Sequence, residues 1–327
     1  MEVKSILKYL NSPTWDLART ACEKNDTMLM DQAILATSQQ DDLEQLYNYS
    51  CRHAIANNST KVLTHLIKHG VSVKTLRPMT VVGNRQTSKA ILEILLAHGW
   101  DINTRDVSGS GPDAQPFMWH FVTDSDMVAW CLEHGASVYP KDQEALRDDI
   151  VTIDQRSCPQ ILERAAGWAT IATFELLRSK GAPLGCRPLH LAVETATYWQ
   201  ADREEEADRG EKEDEKEKGT KSNYVQRYVE RMAMVHHLVD VVGLDVNAPD
   251  QPPGGKVPDR NGTPLCYIPG SNMVDTDTRE LTWFLLDRGA DPIPALQVAK
   301  LTGHPRFVDD VEKWTTLQGG GRKCCVQ

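Results

Sequence analysis

The sequence predicts an all-α fold, because one helical unit recurs along most of the chain. Six amphipathic segments each end in a glycine, and a second, shorter helical pattern lies upstream of each one. Recurrence of this kind is typical of an α-solenoid, in which stacked helix pairs bury a continuous apolar stripe. We therefore expect one solenoid of about six or seven degenerate repeats with an acidic loop insertion. The length of 327 residues would also suit two domains.

The six closing segments are expected to be helices with one apolar face. In the last of them, Leu281 to Pro292, the apolar residues Trp283, Leu285 and Leu286 recur at helical spacing. A glycine follows each helix where the backbone commonly takes a positive φ, and a basic residue or histidine precedes most of these glycines. The closing glycines are Gly70, Gly99, Gly135, Gly181, Gly243 and Gly289.

The intervals between these glycines show where the repeat is interrupted. Gly181 and Gly243 are 62 residues apart, whereas helical repeats of this size commonly span about 20–45 residues. This interval contains residues 200–222, which hold ten acidic and six basic residues and no aliphatic side chain larger than alanine. Such a segment cannot bury a core, so we expect a solvated, frayed helix or a disordered loop. The alternative is an electrostatic docking segment.

A second insertion, residues 250–261, is rich in proline and glycine, which indicates a turn-rich finger loop. Within this finger loop, Lys256 and Arg260 are candidate contacts for a partner. The alternative interpretation is a long loop without a binding role.

Short motifs in the chain resemble the ankyrin repeat. Its T-P-L-H-x-A turn is similar to RPLHLA (Arg187 to Ala192) and GTPL (Gly262 to Leu265), and its closing L-L-x-x-G-A-D to LLDRGAD (Leu285 to Asp291). The resemblance covers roughly Cys51 to Trp314. It implies an ankyrin-repeat solenoid in which the turn histidine hydrogen-bonds neighbouring backbone and joins successive repeats. The residues with this structural role in the turns are Pro188, Leu189, His190, Thr263, Pro264 and Leu265.

These patterns predict three regions. Residues 1–46 form an N-terminal helical cap or a diverged first repeat, and residues 47–316 form the repeat array with both insertions. Residues 317–327 form a flexible tail, because three glycines lie near its start.

The composition argues against several classes of protein. The chain carries 46 acidic and 36 basic residues, a formal charge of −10, and a negative field of this kind repels the phosphates of nucleic acid. The sequence contains no run of 18 consecutive apolar residues, so we expect no transmembrane helix. The N-terminus does not resemble a secretory signal. We expect a cytoplasmic protein, with a nuclear location as an alternative.

The sequence predicts no catalytic residue, no cofactor and no metal site. It contains none of the common phosphate-binding, nucleophile or zinc-binding motifs, and its cysteines form no C-x-x-C pair. Adjacent histidines such as His236 and His237 point about 100° apart on a helix and so do not share a metal on one face. A histidine precedes three of the closing glycines, at the same position of successive repeats. Repeat geometry therefore accounts for these histidines without a catalytic role; they are His69, His98 and His134.

The resemblance implies a non-enzymatic scaffold or adaptor, a monomer that binds an unidentified protein partner in the concave groove of the array. Trp100, directly after Gly99, is a candidate anchor for that partner, because aromatic side chains often dominate interface energy. Packing of Trp100 in the core is the competing interpretation. The chain also resembles divergent, fungal-type ankyrin proteins. The alternative function is therefore an accessory or catalytic role in a biosynthetic pathway, with a pocket adapted from the solenoid.

The last four residues read Cys324-Cys325-Val326-Gln327, which fits a C-a-a-X prenylation signal with Cys324 as the lipid acceptor. Arg322 and Lys323 would add attraction to an anionic surface, so we expect peripheral membrane association. Cys325 departs from the pattern, since an aliphatic residue is usual there. The alternative interpretation is an accidental terminal cysteine.

Overall fold

In the computed structural model the described residues are helical, which confirms the all-α prediction. The structure describes residues 12–37, 40–83, 88–105, 115–139, 160–209, 218–250, 262–270 and 276–321. These ranges contain fifteen α-helices and no β-strand. None of the described helices is both long enough and apolar enough to cross a membrane.

The chain divides into two compact units, which are described separately. The first comprises Met1–Phe121 and Cys131–Lys141, and the second comprises Val122–Trp130 and Asp142–Gln327.

The first unit is built from six helices, a 3₁₀ turn at Phe117–Phe121 and the last turn of a seventh helix. Helix α1 packs against α2 and α3, and α4 packs against α2, α3 and α6. The helices are α1 Pro13–Lys24, α2 Thr27–Leu35, α3 Gln40–Ala56, α4 Thr60–Lys68, α5 Pro78–Val82, α6 Lys89–Ala97 and α7 Ser125–Glu133.

Two asparagines tie helices of the first unit together. Asn25 and Asn58 follow α1 and α3 in the left-handed conformation, with φ of 51° and 55°. Asn25 Oδ1 accepts hydrogen bonds from Lys61 N and Val62 N in the first turn of α4, at 2.9 and 3.2 Å. Asn58 Oδ1 accepts one from Ser88 N, just before α6, at 2.7 Å. Each asparagine therefore ends one helix and satisfies amides at the start of a later one.

The second unit begins with the first residues of α7 and has α10 at its centre, packed against α8, α11 and α12. A π-helical turn, His237–Val241, extends α11, and a 3₁₀ turn, Pro264–Cys266, precedes α12. The helices are α8 Ile161–Trp168, α9 Ile171–Ser179, α10 Pro188–Arg209, α11 Lys218–His236, α12 Tyr267–Gly270, α13 Arg279–Asp287, α14 Pro292–Thr302 and α15 Pro305–Gly321.

All six closing glycines have positive φ, between 79° and 93°, as the sequence predicts. At Gly99 the glycine amide donates to Leu96 O, and the next amide, that of Trp100, donates to Leu95 O, both at 3.0 Å. This pair of hydrogen bonds is the Schellman motif, which satisfies carbonyl groups at the end of α6 and turns the chain back over the helix.

In each unit an asparagine makes the same pair of hydrogen bonds to a later turn. Asn103 Nδ2 donates to Gly135 O at 3.0 Å, and its Oδ1 accepts from Ser137 N at 2.7 Å. Asn247 does the same with Gly289 O at 2.9 Å and Asp291 N at 2.8 Å. An aspartate two residues earlier, Asp101 or Asp245, accepts from the amide of each asparagine. Thus the asparagine that follows one closing helix hydrogen-bonds the turn that follows the next closing helix.

The helices extend into two regions that the sequence predicts to be loop-like, the charged insertion and the C-terminal tail. Within the charged insertion, Gln200–Arg209 continues α10 and residues 218–222 begin α11, and residues 210–217 lie outside the described residues. Helix α15 continues to Gly321, five residues into the tail expected from residue 317. Hydroxyls of Thr315 and Thr316 donate to carbonyls four residues earlier, which is helical geometry directly before the predicted start of the tail.

Candidate functional site

The two predicted repeat turns both start a helix in the second unit. Pro188 is the first residue of α10, and Pro264 is the first residue of the 3₁₀ turn before α12. Proline suits this position because its fixed φ is helical and its missing amide hydrogen has no intrahelical acceptor there. Pro188, Leu189 and His190 are buried, as are Pro264 and Leu265, whereas Thr263 is half-buried. We call the segments around Pro188 and Pro264 the first and second turns.

The first turn is anchored by the buried carboxylate of Glu163 in α8. Glu163 Oε1 accepts hydrogen bonds from Cys186 N and Arg187 N, both at 2.9 Å. Its Oε2 accepts one from Gln160 N at 3.2 Å, which completes the N-terminal cap of α8. Burial raises the pKa of Glu163, while the charge of Arg187 and the three hydrogen bonds lower it.

Gly185 leaves room for this carboxylate. Its φ is +73°, and a Cβ at this position would lie 2.6 Å from Glu163 Oε1. The glycine is therefore required both by its backbone conformation and by the close approach of the side chain.

The second turn is anchored to the first by His190. His190 Nε2 lies 3.1 Å from Ala248 O and 3.1 Å from Gly262 O. These carbonyls flank the finger loop, and Asp250 N donates to Gly262 O at 2.9 Å across its base. One imidazole from the start of α10 thus fixes both ends of the finger loop, whose residues 251–261 lie outside the described residues.

The chemistry of its partners sets the protonation state of His190. Carbonyl oxygens only accept hydrogen bonds, so Nε2 carries the proton and donates to both. The ring is 1% exposed, and its Nδ1 is buried with no hydrogen-bond partner among the residues that the structure describes. Burial lowers the pKa of His190 to about 4, against the raising effect of both carbonyls. His190 is therefore neutral at pH 7.

A tyrosine completes the base of the finger loop. The Tyr267 ring packs edge-on to His190, with centroids 5.1 Å apart, and its hydroxyl donates to Asp250 Oδ2 at 2.8 Å. Burial raises the pKa of Asp250 and that of Tyr267. We call Ala248, Asp250 and Gly262 the neck of the finger loop. These hydrogen bonds join the neck to the buried side chains of His190 and Tyr267.

Trp100 packs in the core of the first unit, so the interpretation of an exposed anchor is wrong. Its side chain is 2% exposed, the indole Nε1 donates to Leu76 O at 3.1 Å, and the ring meets Phe117 edge-on. The reason is the Schellman motif at Gly99, in which the residue after the glycine folds back and packs against the preceding helix turn.

The other predicted site residues lie outside the described residues. These are the finger-loop candidates Lys256 and Arg260 and the lipid acceptor Cys324. The structure therefore describes the neck of the finger loop and not the contacts expected within it.

His236 and His237 face different neighbours, which agrees with the expected angle between them. The His236 ring lies 3.9 Å from the Phe284 ring, between centroids, whereas His237 Nε2 lies 2.8 Å from Glu175 Oε1.

Sequence reasoning missed two groups. Glu163 is one, because a glutamate three residues into a helix predicts only a cap and not the buried contact with residues 186 and 187. The second group consists of Asp31 in α2 and the two histidines next to it, His65 and His69. The four-residue spacing of the histidines was a usable signal, but the carboxylate comes from a helix some thirty residues away.

No protein-family model matches the chain, and none of the curated proteins matches it. The resemblance to ankyrin repeats therefore depends on the motifs quoted from the sequence.

We expect Glu163→Ala to lower the free energy of unfolding by about 2–4 kcal/mol, because buried amides lose their acceptor. Urea denaturation followed by circular dichroism measures the loss. Glu312→Ala, on the exposed side of α15, is the matched control and should change stability little. Equal effects of the two substitutions would show that Glu163 does not anchor the first turn.

His190 predicts a specific loss of stability in acid. Its folded pKa is about 4 and its usual value is 6.5, so the unfolded chain takes up a proton first as pH falls. The contribution of neutral His190 is complete above pH 6.5 and is lost on acidification towards pH 4. It amounts to about 3 kcal/mol, at 1.36 kcal/mol per pKa unit.

We expect His190→Gln to remove this component, because glutamine keeps an N–H donor and does not titrate. The free energy of unfolding should be measured at several values between pH 7 and pH 4 for wild type and variant. His98→Gln, at an exposed histidine, is the control for the same substitution elsewhere in the chain. A His190→Gln profile parallel to that of wild type would contradict the prediction.

Proposed function

We propose that this protein is a non-enzymatic scaffold or adaptor that binds another protein through an ankyrin-like array of helix pairs. The observation that carries the proposal is the repeated Asp-x-Asn turn, in which Asn103 and Asn247 make the same two hydrogen bonds to the turn after the next closing helix. A recurring bond between successive turns supports a stacked repeat array, in which each unit buries its apolar face only against its neighbours.

Binding by such an array uses loops and turns carried on rigid helices. The finger loop fits this role, because His190, Asp250 and Tyr267 hold its neck. A fixed neck reduces the conformational entropy lost when the loop binds a partner. We propose the finger loop, with Lys256 and Arg260, as part of the contact surface.

Removal of the finger loop tests this function. Because Asp250 N and Gly262 O are hydrogen-bonded, the ends of the loop are close, and two glycines can replace residues 252–260. We expect the shortened protein to keep its free energy of unfolding and to lose the partners that co-purify with wild type. Quantitative mass spectrometry of tagged protein from its native host measures the partners.

The matched control is the charged insertion between α10 and α11. Replacing residues 210–217 with the same two-glycine linker should leave the partners unchanged. Full retention of partners by the finger-loop variant, with wild-type stability, would exclude the finger loop as the contact surface. Loss of the partners in both variants would also count against it.

Membrane association through Cys324 stays a prediction of the sequence. It is tested by the intact mass of protein from its native host. Prenylation with removal of the last three residues should be abolished by Cys324→Ser and kept by Cys325→Ser. An unmodified mass in wild type would contradict it.

The alternative, a role in a biosynthetic pathway, needs a closed apolar pocket with convergent polar groups. The depression lined by Arg52, His53, Ala56, Met79 and Thr80 is largely open to solvent. It therefore gives this alternative no support.

A further inference from the structure

Two helices of the first unit bring together three side chains that bind metal ions in other proteins. His65 and His69 lie four residues apart at the C-terminal end of α4, so they share one face. Asp31 reaches them from α2, which packs against α4. His65 Nε2 lies 2.7 Å and His69 Nε2 lies 3.8 Å from the same oxygen, Asp31 Oδ1.

We propose that Asp31, His65 and His69 form a binding site for a divalent transition-metal ion of the zinc class. One nitrogen from each imidazole and one carboxylate oxygen lie within 4.8 Å of one another. Zinc binds such atoms at about 2.0–2.2 Å in tetrahedral geometry, which places neighbouring ligand atoms about 3.3 Å apart. To reach this geometry, the His65 contact with Asp31 has to lengthen from 2.7 Å and the His69 contact has to shorten from 3.8 Å.

The donor set selects the class of metal. Imidazole nitrogen suits zinc, cobalt and nickel, whereas magnesium and calcium prefer sites made entirely of oxygen. Two histidines and one carboxylate leave a fourth tetrahedral position open, as in zinc sites that hold a water molecule or an external ligand. The exposed fractions of His65, Asp31 and His69 are 21%, 47% and 41%, so an ion and a fourth ligand can reach the site from solvent.

A hydrogen bond between His65 and Asp31 explains only part of this arrangement. It accounts for the 2.7 Å contact but not for the position of the second imidazole, whose Nε2 lies 3.8 Å from the same oxygen. Without a metal, one carboxylate oxygen lies between two rings and is within hydrogen-bonding distance of only one. An ion bound there would satisfy all three side chains and link α2 to the end of α4.

His98 provides a matched control within the same unit. It occupies the position of His69 at the end of α6, where Ile94 stands in place of the second histidine. Its Nδ1 lies 2.8 Å from Ile94 O. His98→Ala therefore removes one exposed imidazole from the same kind of helix terminus without touching the proposed ligands.

The test is a titration of the full, EDTA-treated chain with Co²⁺ and then Zn²⁺ at pH 7.5, under reducing conditions. Visible absorption of cobalt reports tetrahedral coordination, and calorimetry gives stoichiometry and affinity. We expect one equivalent to bind, with affinity at least tenfold weaker in His65→Ala, His69→Ala and Asp31→Asn and unchanged in His98→Ala. Zinc, but not magnesium, should raise the Tm of the wild type.

Two results would overturn the proposal. One is the absence of binding at micromolar zinc, which would leave only a surface hydrogen bond. The other is binding that survives all three substitutions, which would place the metal on other groups such as thiols. The Tm of each variant without metal shows whether it folds, so loss of binding can be separated from loss of structure.

Discussion

The satisfaction of backbone groups at helix ends is the constraint on which the described structure depends. Five of the six predicted closing segments form helices of nine residues, for example α4, α6 and α13. An α-helix leaves four amides and four carbonyls unpaired at its ends, so nearly half of the backbone groups in such a helix need outside partners. In a chain of short helices these groups, and not the helix interiors, decide which segments must meet.

Side chains from distant segments supply many of these partners, and so they link the helices as well as capping them. In the first unit, Asn25 and Asn58 accept hydrogen bonds from backbone amides. In the second unit, Glu163 accepts from the amides of the first turn, and His190 donates to a carbonyl beside the second turn. At the other end of a helix, the buried guanidinium of Arg231 donates to carbonyls at the end of α8. Burying such groups costs free energy unless they are hydrogen-bonded, which is why their removal should cost more than an average contact.

The parts of the structure that follow from local rules could be predicted from sequence. The closing helices and their glycines are examples, because amphipathic spacing and positive φ are properties of a few neighbouring residues. The burial of Trp100, one of the two interpretations that the sequence left open, also follows from a local rule, the Schellman geometry after Gly99. The turn amides bound by Glu163 and the carbonyls bound by His190 lie 23 to 72 residues away along the chain, so no local pattern identifies them. The contact of Asp31 with two histidines is unpredictable for the same reason.

The two ends of α4 show how the structural and the proposed binding roles divide. Its first turn is held by Asn25, an amide whose hydrogen bonds depend neither on pH nor on any ion. Its last turn is held by Asp31 through the imidazole of His65, a side chain that can also bind a metal ion. The first contact thus joins the end of α1 to α4 without an ion. A metal at Asp31, His65 and His69 would therefore act on a helix already in place, adding a second tie from α2 while presenting an open coordination position on the surface.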